Sequence, residues 1–202
     1  MTALDGLARR DQNLAAAIRY AGPLPDRRLP RGFATIAKII VEQQLSLAAA
    51  EAIWKRLLAD LGEVTPELVL SREVSHLKSL GLGARKAEYV QGIATTILSG
   101  ELHLDGLHQS TDADALAALT AIRGIGPWTA EVYLLFAEAR HDIFPAGDVA
   151  LQTAAGYILD MKTRPGTDEL RAITEAWRPW RGVAARILWQ VYRRLKEEGT
   201  RS

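Results

Sequence analysis

The chain predicts an all-α fold, on three observations. Apolar residues recur at three- and four-residue spacing through most of its 202 residues. No stretch sustains the apolar–polar alternation of a half-buried strand. Glycine and proline mark the breaks, at Gly62, Gly81-Leu82-Gly83, Gly100, Gly147 and Pro165-Gly166. There is no internal repeat, low-complexity run or long linker. A chain of this length buries a substantial core as one domain, with room for two lobes.

In the first half the periodicity predicts helices over 8–20, 32–44, 47–61, 71–79 and 84–98. Gln43-Gln44-Leu45 falls between the second and third of these, and Ser46 is suited to cap the third. In the second half helices are predicted over 112–122, 127–138, 149–159, 168–177 and 182–197. Thr111 or Asp112 caps the first of that group, whose Leu116, Leu119 and Ile122 share a face. Gly124 stands where a left-handed residue is cheapest, Ile125 plugs inward, Gly126 permits a second tight step, and Pro127 opens the next helix. Trp128, Val132, Leu135 and Phe136 follow at helical spacing. Asp148, directly after Phe144-Pro145-Ala146-Gly147, opens the helix that begins Val149-Ala150-Leu151-Gln152.

The helix, Gly-x-Gly turn and helix over 112–138 form a backbone device that can grip an anion. Glycines let an anionic oxygen approach the backbone N–H groups, and the N-terminus of the Pro127 helix adds positive potential. The plainer alternative is an αα-hairpin whose glycines only make the turn. Net charge is +1, so the overall balance does not announce a polyanionic partner. The distribution is less even: Arg27, Arg28 and Arg31 cluster, and Arg178, Arg181, Arg186, Arg193, Arg194 and Lys196 crowd the last helix. Such a stripe either meets phosphates or is an ordinary solvated face.

The absence of cysteine excludes disulfides, thiolate metal sites and iron–sulfur clusters. His76, His103, His108 and His141 are scattered without ligand spacing. The N-terminal residues carry neither a basic region nor an apolar core of a signal peptide, and no apolar span is long enough for a bilayer. A soluble cytoplasmic monomer with no membrane contact is the expectation.

Residues Leu119 to Leu151 resemble the core motif of the helix-hairpin-helix DNA glycosylase superfamily. Gly124-Ile125-Gly126-Pro127-Trp128-Thr129-Ala130 and Phe144-Pro145-Ala146-Gly147-Asp148 are similar to its DNA-3-methyladenine glycosylase II branch. Val41-Glu42-Gln43-Gln44-Leu45-Ser46, Gly81 through Tyr89 and Trp177-Arg178-Pro179-Trp180-Arg181 also resemble that branch, so the likeness runs from about residue 32 to about 195. It implies two helical lobes, about 32–145 and about 1–31 plus 146–202, with an active-site cleft between them.

The resemblance implies that Asp148 is catalytic and that Gly124, Gly126 and Thr129 bind DNA phosphate. It also implies that Trp128 and Trp189 line the base pocket, with Tyr133 as a weaker match. Gln43, Gln44 and Leu45 then lie where the family places the wedge that fills the gap left by an everted base, with Gln44 and Leu45 both open as the inserted side chain. A structural Na or K ion on the main-chain carbonyls of Thr120, Ile122 and Ile125 is a further implication, and no cofactor is required. Relatives that also nick the strand carry a Schiff-base lysine in the second hairpin helix; Trp128 stands at that position and has no amine. Asp148 keeps the alternative of a plain N-cap and Trp189 that of a core residue, whereas Trp54, Trp177 and Trp180 are assigned to packing.

The implied activity is base excision repair by a monofunctional glycosylase acting on alkylated purines such as 3-methyladenine or 7-methylguanine in double-stranded DNA. Two alternatives remain: a non-catalytic DNA-binding hairpin protein, and a glycosylase for a neutral lesion such as uracil.

Overall fold

The protein is described here from a computed structural model covering residues 2–199. All regular structure among those residues is helical, and the chain packs into two compact units.

One unit is built from both chain ends, up to Arg27 and from Ala139 onward. It begins with α1 (Ala3–Arg10) and α2 (Gln12–Ala21), where a single helix over 8–20 was expected. Asp11 makes the break. Its extended backbone stops α1, and its Oδ1 accepts from the N–H groups of Asn13 and Leu14 at 2.8 and 3.1 Å, which starts α2.

The other unit, Arg28–Glu138, is continuous in sequence. It holds α3 (Phe33–Glu42), α4 (Leu47–Leu61), α5 (Pro66–Leu70), α6 (Val74–Ser79) and α7 (Ala84–Leu98). A 3-10 turn (Leu104–Gln109), α8 (Asp112–Thr120) and α9 (Pro127–Phe136) complete it. α3 lies at its centre, packed on α4, α7 and α9, with Ile36, Ile39, Ile40 and Val41 almost wholly buried. α5 has no counterpart in the periodicity because five residues are too few to show one. Local capping starts it instead: Thr65 Oγ1 accepts from Leu68 N–H and Pro66 opens the first turn.

Returning to the first unit, α10 (Val149–Ile158), α11 (Thr167–Thr174) and α12 (Arg181–Gly199) close the chain. α12 packs on α10 and α2. The central unit stops at Glu138 rather than near 145, and local packing explains the difference. Phe144 meets Trp177 edge-on at 5.9 Å between ring centres, and the His141 carbonyl accepts from Gly182 N–H at 2.8 Å. Residues 141–144 are therefore held by the C-terminal segment.

The tryptophans expected to pack do so. Trp177 is buried and its Nε1 donates to Asp11 Oδ2 at 2.9 Å. A side chain at Gly6 would collide with the Trp180 ring, so that ring lies flush on α1. Trp54 is half-buried, with the Lys38 ammonium 5.9 Å from its ring centre.

The basic stripe of α12 is largely consumed inside its own unit. Arg178 and Arg181 reach Asp142 at 2.7 and 3.0 Å, and Arg181 also reaches Glu175 at 2.6 Å. Arg186 donates to the Pro25 carbonyl at 2.7 Å, and Arg193 lies 3.8 Å from Glu197. Arg178 and Arg181 are thereby neutralised by carboxylates, whereas Arg194 and Lys196 lie over the rings of Tyr20 and Tyr192.

Candidate active site

α8 and α9 pack against each other around the turn 121–126. Thr111 caps α8, its Oγ1 accepting from Asp114 N–H at 3.1 Å, and Asp112 and Asp114 sit at the positive end of that helix. The turn tightens through Ile125 N–H to the Ile122 carbonyl at 3.0 Å, and Ile125 is buried as expected.

The two glycines of the turn do different things. Gly124 has φ +100°, and a Cβ there would meet the Tyr89 ring at 2.5 Å. Gly126 is not a second tight step: its φ of −81° and ψ of 171° are extended and open to any residue. A Cβ there would meet nothing within 4 Å, and Gly126 offers no capping side chain. No side chain caps the start of α9, and the space beside Gly126 is open. The turn before α7 repeats this backbone. Gly81 has φ +105°, Leu82 is buried, and Gly83 is an extended N-cap with open space around it.

Thr129 is only 2% exposed, and its Oγ1 accepts from Gln43 Nε2 at 2.8 Å. What Thr129 can offer an incoming phosphate is therefore its backbone, not its hydroxyl. Trp128, one residue earlier, is half-buried. Tyr133 is fully buried, and its hydroxyl accepts from Gly32 N–H at 3.0 Å at the entrance to α3. Burial pushes that hydroxyl's pKa above the ordinary tyrosine value. A ring with no accessible surface presents no face to a base, so the expected pocket role for Tyr133 gives way to a packing and positioning role. Nearby, the buried Glu138 carboxylate is met by Arg31 Nε at 3.2 Å.

Gln43, Gln44 and Leu45 form the link between α3 and α4. Gln43 is half-buried and committed to Thr129, whereas Gln44 is exposed with φ +55° and Leu45 is 41% exposed. Ser46 caps α4 as expected, accepting from Ala49 N–H at 3.2 Å. Two features were not legible beforehand. Leu47, on the first turn of α4, is 81% exposed. Lys86 reaches from α7 to the carbonyls of Val41 and Gln43 at 2.8 and 2.6 Å. No periodicity or motif signals a contact between residues more than forty positions apart.

In the other unit Asp148 is the N-cap of α10, its Oδ1 accepting from Ala150 and Leu151 N–H at 2.8 and 3.0 Å. The cap orients the half-buried carboxylate through one of its two oxygens. Behind it, Gln152 Nε2 donates to the Ala146 carbonyl at 2.9 Å, which ties the Phe-Pro-Ala-Gly approach to α10. Val149, beside the carboxylate, is exposed. Trp189 lies half-buried on α12, the helix against which α10 packs.

Residues 37–179 match the HhH-GPD superfamily of base excision DNA repair proteins. The chain belongs to that superfamily.

Among its members, a putative DNA-3-methyladenine glycosylase of Bacillus subtilis, YfjP, is 32% identical over 161 residues, 76% of this chain and 56% of that protein. The chain thus spans little more than half the length of that relative. The alkylbase DNA glycosidase-like protein mag2 of Schizosaccharomyces pombe is 25% identical over 90% of this chain and 88% of its own.

Among solved structures, a DNA-3-methyladenine glycosidase of Bacillus halodurans superposes with TM-score 0.85 at 32% identity, covering 98% of this chain and 92% of that one. The Schizosaccharomyces pombe 3-methyladenine DNA glycosylase Mag1, in complex with abasic DNA, gives TM-score 0.87 at 26% identity over 94% and 96%. The HhH-GPD chain is therefore all-helical in the manner of these glycosylases.

Among the described residues no group of three or more His, Cys, Asp or Glu side chains could hold a metal ion. No described helix is long and apolar enough to cross a membrane. For a monovalent cation the hairpin offers neutral oxygens. The closing carbonyls of α8 lack intrahelical donors by geometry, and the Ile122 oxygen already accepts from Ile125 N–H. Such neutral oxygens suit a hard ion of single charge.

Proposed function

We propose that this protein is a monofunctional DNA glycosylase that hydrolyses the N-glycosidic bond of alkylated purines, such as 3-methyladenine or 7-methylguanine, in double-stranded DNA. Asp148 carries the reading: a carboxylate oriented by its own helix, in a chain of this superfamily.

The start of α9 holds a backbone phosphate, with Gly126 leaving room for the approach and the first N–H groups of the helix as donors. The loop Gln43–Leu45 fills the space left in the duplex once the base has turned out of the stack. As the base departs, positive charge develops on the sugar. A carboxylate about 4 Å away at an effective dielectric near 20 stabilises that charge by roughly 4 kcal/mol. That is about a thousandfold in rate. Asp148 supplies this charge and aligns the water that attacks the anomeric carbon.

Trp128 and Trp189 each offer a base an electron-rich indole face. A ring nitrogen alkylated at N3 or N7 makes the base cationic, and an indole face favours such a cation by about 0.5–2 kcal/mol. The base then leaves as a neutral molecule and needs little acid assistance. With Trp128 where strand-nicking relatives place a lysine, no amine is supplied for a Schiff base, and the product is an intact abasic site. A monovalent ion on the carbonyls of Thr120, Ile122 and Ile125 would brace the hairpin, and no chemical step depends on it.

Mass spectrometry of the bases freed from methylated DNA tests the assignment, with Asp148→Asn as control. Release of methylated purines by the native protein, lost in the variant, is the expected result. Native-rate release by Asp148→Asn would remove the carboxylate from the mechanism.

A further inference from the structure

We propose that Lys86 is a positioning residue for base excision, acting by holding the loop Gln43–Leu45 in the shape that enters DNA. This rests on the glycosylase reading and names the residue that sets the loop's geometry.

α3 ends at Glu42, so its last carbonyls have no intrahelical donors. Lys86, in the first turn of α7, reaches two carbonyls that span that end, Val41 at 2.8 Å and Gln43 at 2.6 Å. A cation also suits the negative end of the α3 dipole. The Gln43 carbonyl belongs to the peptide that leads directly into Gln44, and Gln44 has φ +55°, a region glutamine rarely adopts unaided. Turning that peptide back to ordinary geometry would swing its oxygen away from the ammonium.

The loop has a second tether on another element, from the Gln43 side-chain amide to Thr129 Oγ1 at 2.8 Å. Lys86 and Thr129 thus fix Gln43 through its backbone and its side chain respectively, which leaves Gln44 and Leu45 presented to solvent in one conformation. Beside the loop runs a groove of about 630 Å³, walled on its far side by Gly81–Arg85 and Tyr89. Lys86 is the side chain shown joining the loop across that groove by hydrogen bonds. The ammonium is half-buried, and that burial lowers its pKa from the ordinary lysine value. A loop held in advance loses less conformational freedom on inserting than a loose one.

The test compares Lys86→Met and Lys86→Arg in the full chain. In Lys86→Met, hydrogen exchange at the amides of 43–46 should quicken about tenfold while the amides of α9 and of Ile36–Ile40 keep their native protection. Affinity for a duplex carrying a tetrahydrofuran abasic analogue should fall about tenfold with an unchanged salt slope. A lysine that merely contacted phosphate would instead lower that slope by about one. Single-turnover release of 7-methylguanine at saturating enzyme should also fall about tenfold. Lys86→Arg, which keeps two directed donors, should recover most of each loss.

Unchanged exchange at 43–46 overturns the proposal. So does faster exchange with native DNA affinity and native single-turnover rate, or a reduced salt slope. If Lys86→Met does not fold, Lys86→Gln, which keeps one donor, is measured in the same way, with smaller changes in the same directions expected. A native protein that frees no alkylated base sinks the glycosylase reading instead, while exchange and abasic-duplex affinity still decide on Lys86.

Discussion

The ring of Tyr89 occupies the space in which a side chain at Gly124 would begin. A Cβ there would lie 2.5 Å from Tyr89 Cγ, and Gly124 also holds φ +100°, so the turn excludes any other residue twice over. The Arg123 guanidinium 5.8 Å from the same ring centre completes the contact. α7 therefore supports the hairpin turn through one aromatic ring.

Gly124→Ala combines a left-handed alanine with overpacking against that ring, for a cost of about 2–4 kcal/mol. In a chain of this size the thermal midpoint should drop by roughly 5–15 °C. Calorimetry decides, and a loss below about 1 kcal/mol would mean that the Tyr89 contact is easily rearranged.

Asp148→Asn separates the two duties of that residue. Asparagine caps a helix about as well as aspartate, so stability should change by less than about 0.5 kcal/mol. The charge is lost, and release of a methylated purine should fall about 10²- to 10³-fold. Binding to abasic DNA should persist. A variant that unfolds would show that the charge, and not the cap alone, holds the start of α10.

Trp128→Ala should weaken discrimination in favour of cationic bases about 2- to 30-fold, the range set by one indole–cation contact. The quantity to measure is the ratio of 7-methylguanine to hypoxanthine release from matched duplexes. The native protein should leave the abasic strand unbroken and form no borohydride-trapped adduct with it.

Tyr133→Phe removes the acceptor for the Gly32 N–H. Losing the partner of this half-buried donor costs about 1 kcal/mol. The loss should appear in denaturant midpoints and not in base selectivity. A changed selectivity at unchanged stability would return Tyr133 to the pocket.

Asp60 sets an acid-side prediction. A hydrogen bond from His76, then one from Arg72, holds its carboxyl below the ordinary value of 3.8. The folded state therefore binds that proton less tightly than the unfolded chain. The resulting stabilisation is full above the ordinary carboxylate range and disappears as pH falls through the folded value. Asp60→Asn should flatten the fall in thermal midpoint below about pH 4: the variant lies below the native protein by a full, pH-independent amount in the neutral region, and the two converge in acid.

Helix positions were largely legible because period and capping are local. The Thr111 cap, the left-handed Gly124, the buried Ile125 and the Asp148 cap all follow from residues within a turn of one another. The places where the reading and the structure part are equally instructive. Asp11 divides what periodicity joins, since a cap overrides a continuing apolar stripe. Gly126 reads as a conformational necessity yet is extended, and what distinguishes it is empty space, which is a property of its surroundings. Tyr133 shares a helix with Trp128 and still lies fully buried beneath Gly32, because helical phase against a neighbour decides which ring faces inward.

By itself the sequence determined most of the helices, the Gly-x-Gly hairpin, the capping aspartate and the superfamily, since each is carried by residues close in the chain or by a motif with fixed spacing. Only the tertiary structure decided that Tyr89 underlies Gly124, that Lys86 and Thr129 hold Gln43, and that Arg178 and Arg181 answer Asp142. Those pairings join side chains tens of residues apart, and their partners are chosen by how packed helices meet, which no local pattern encodes.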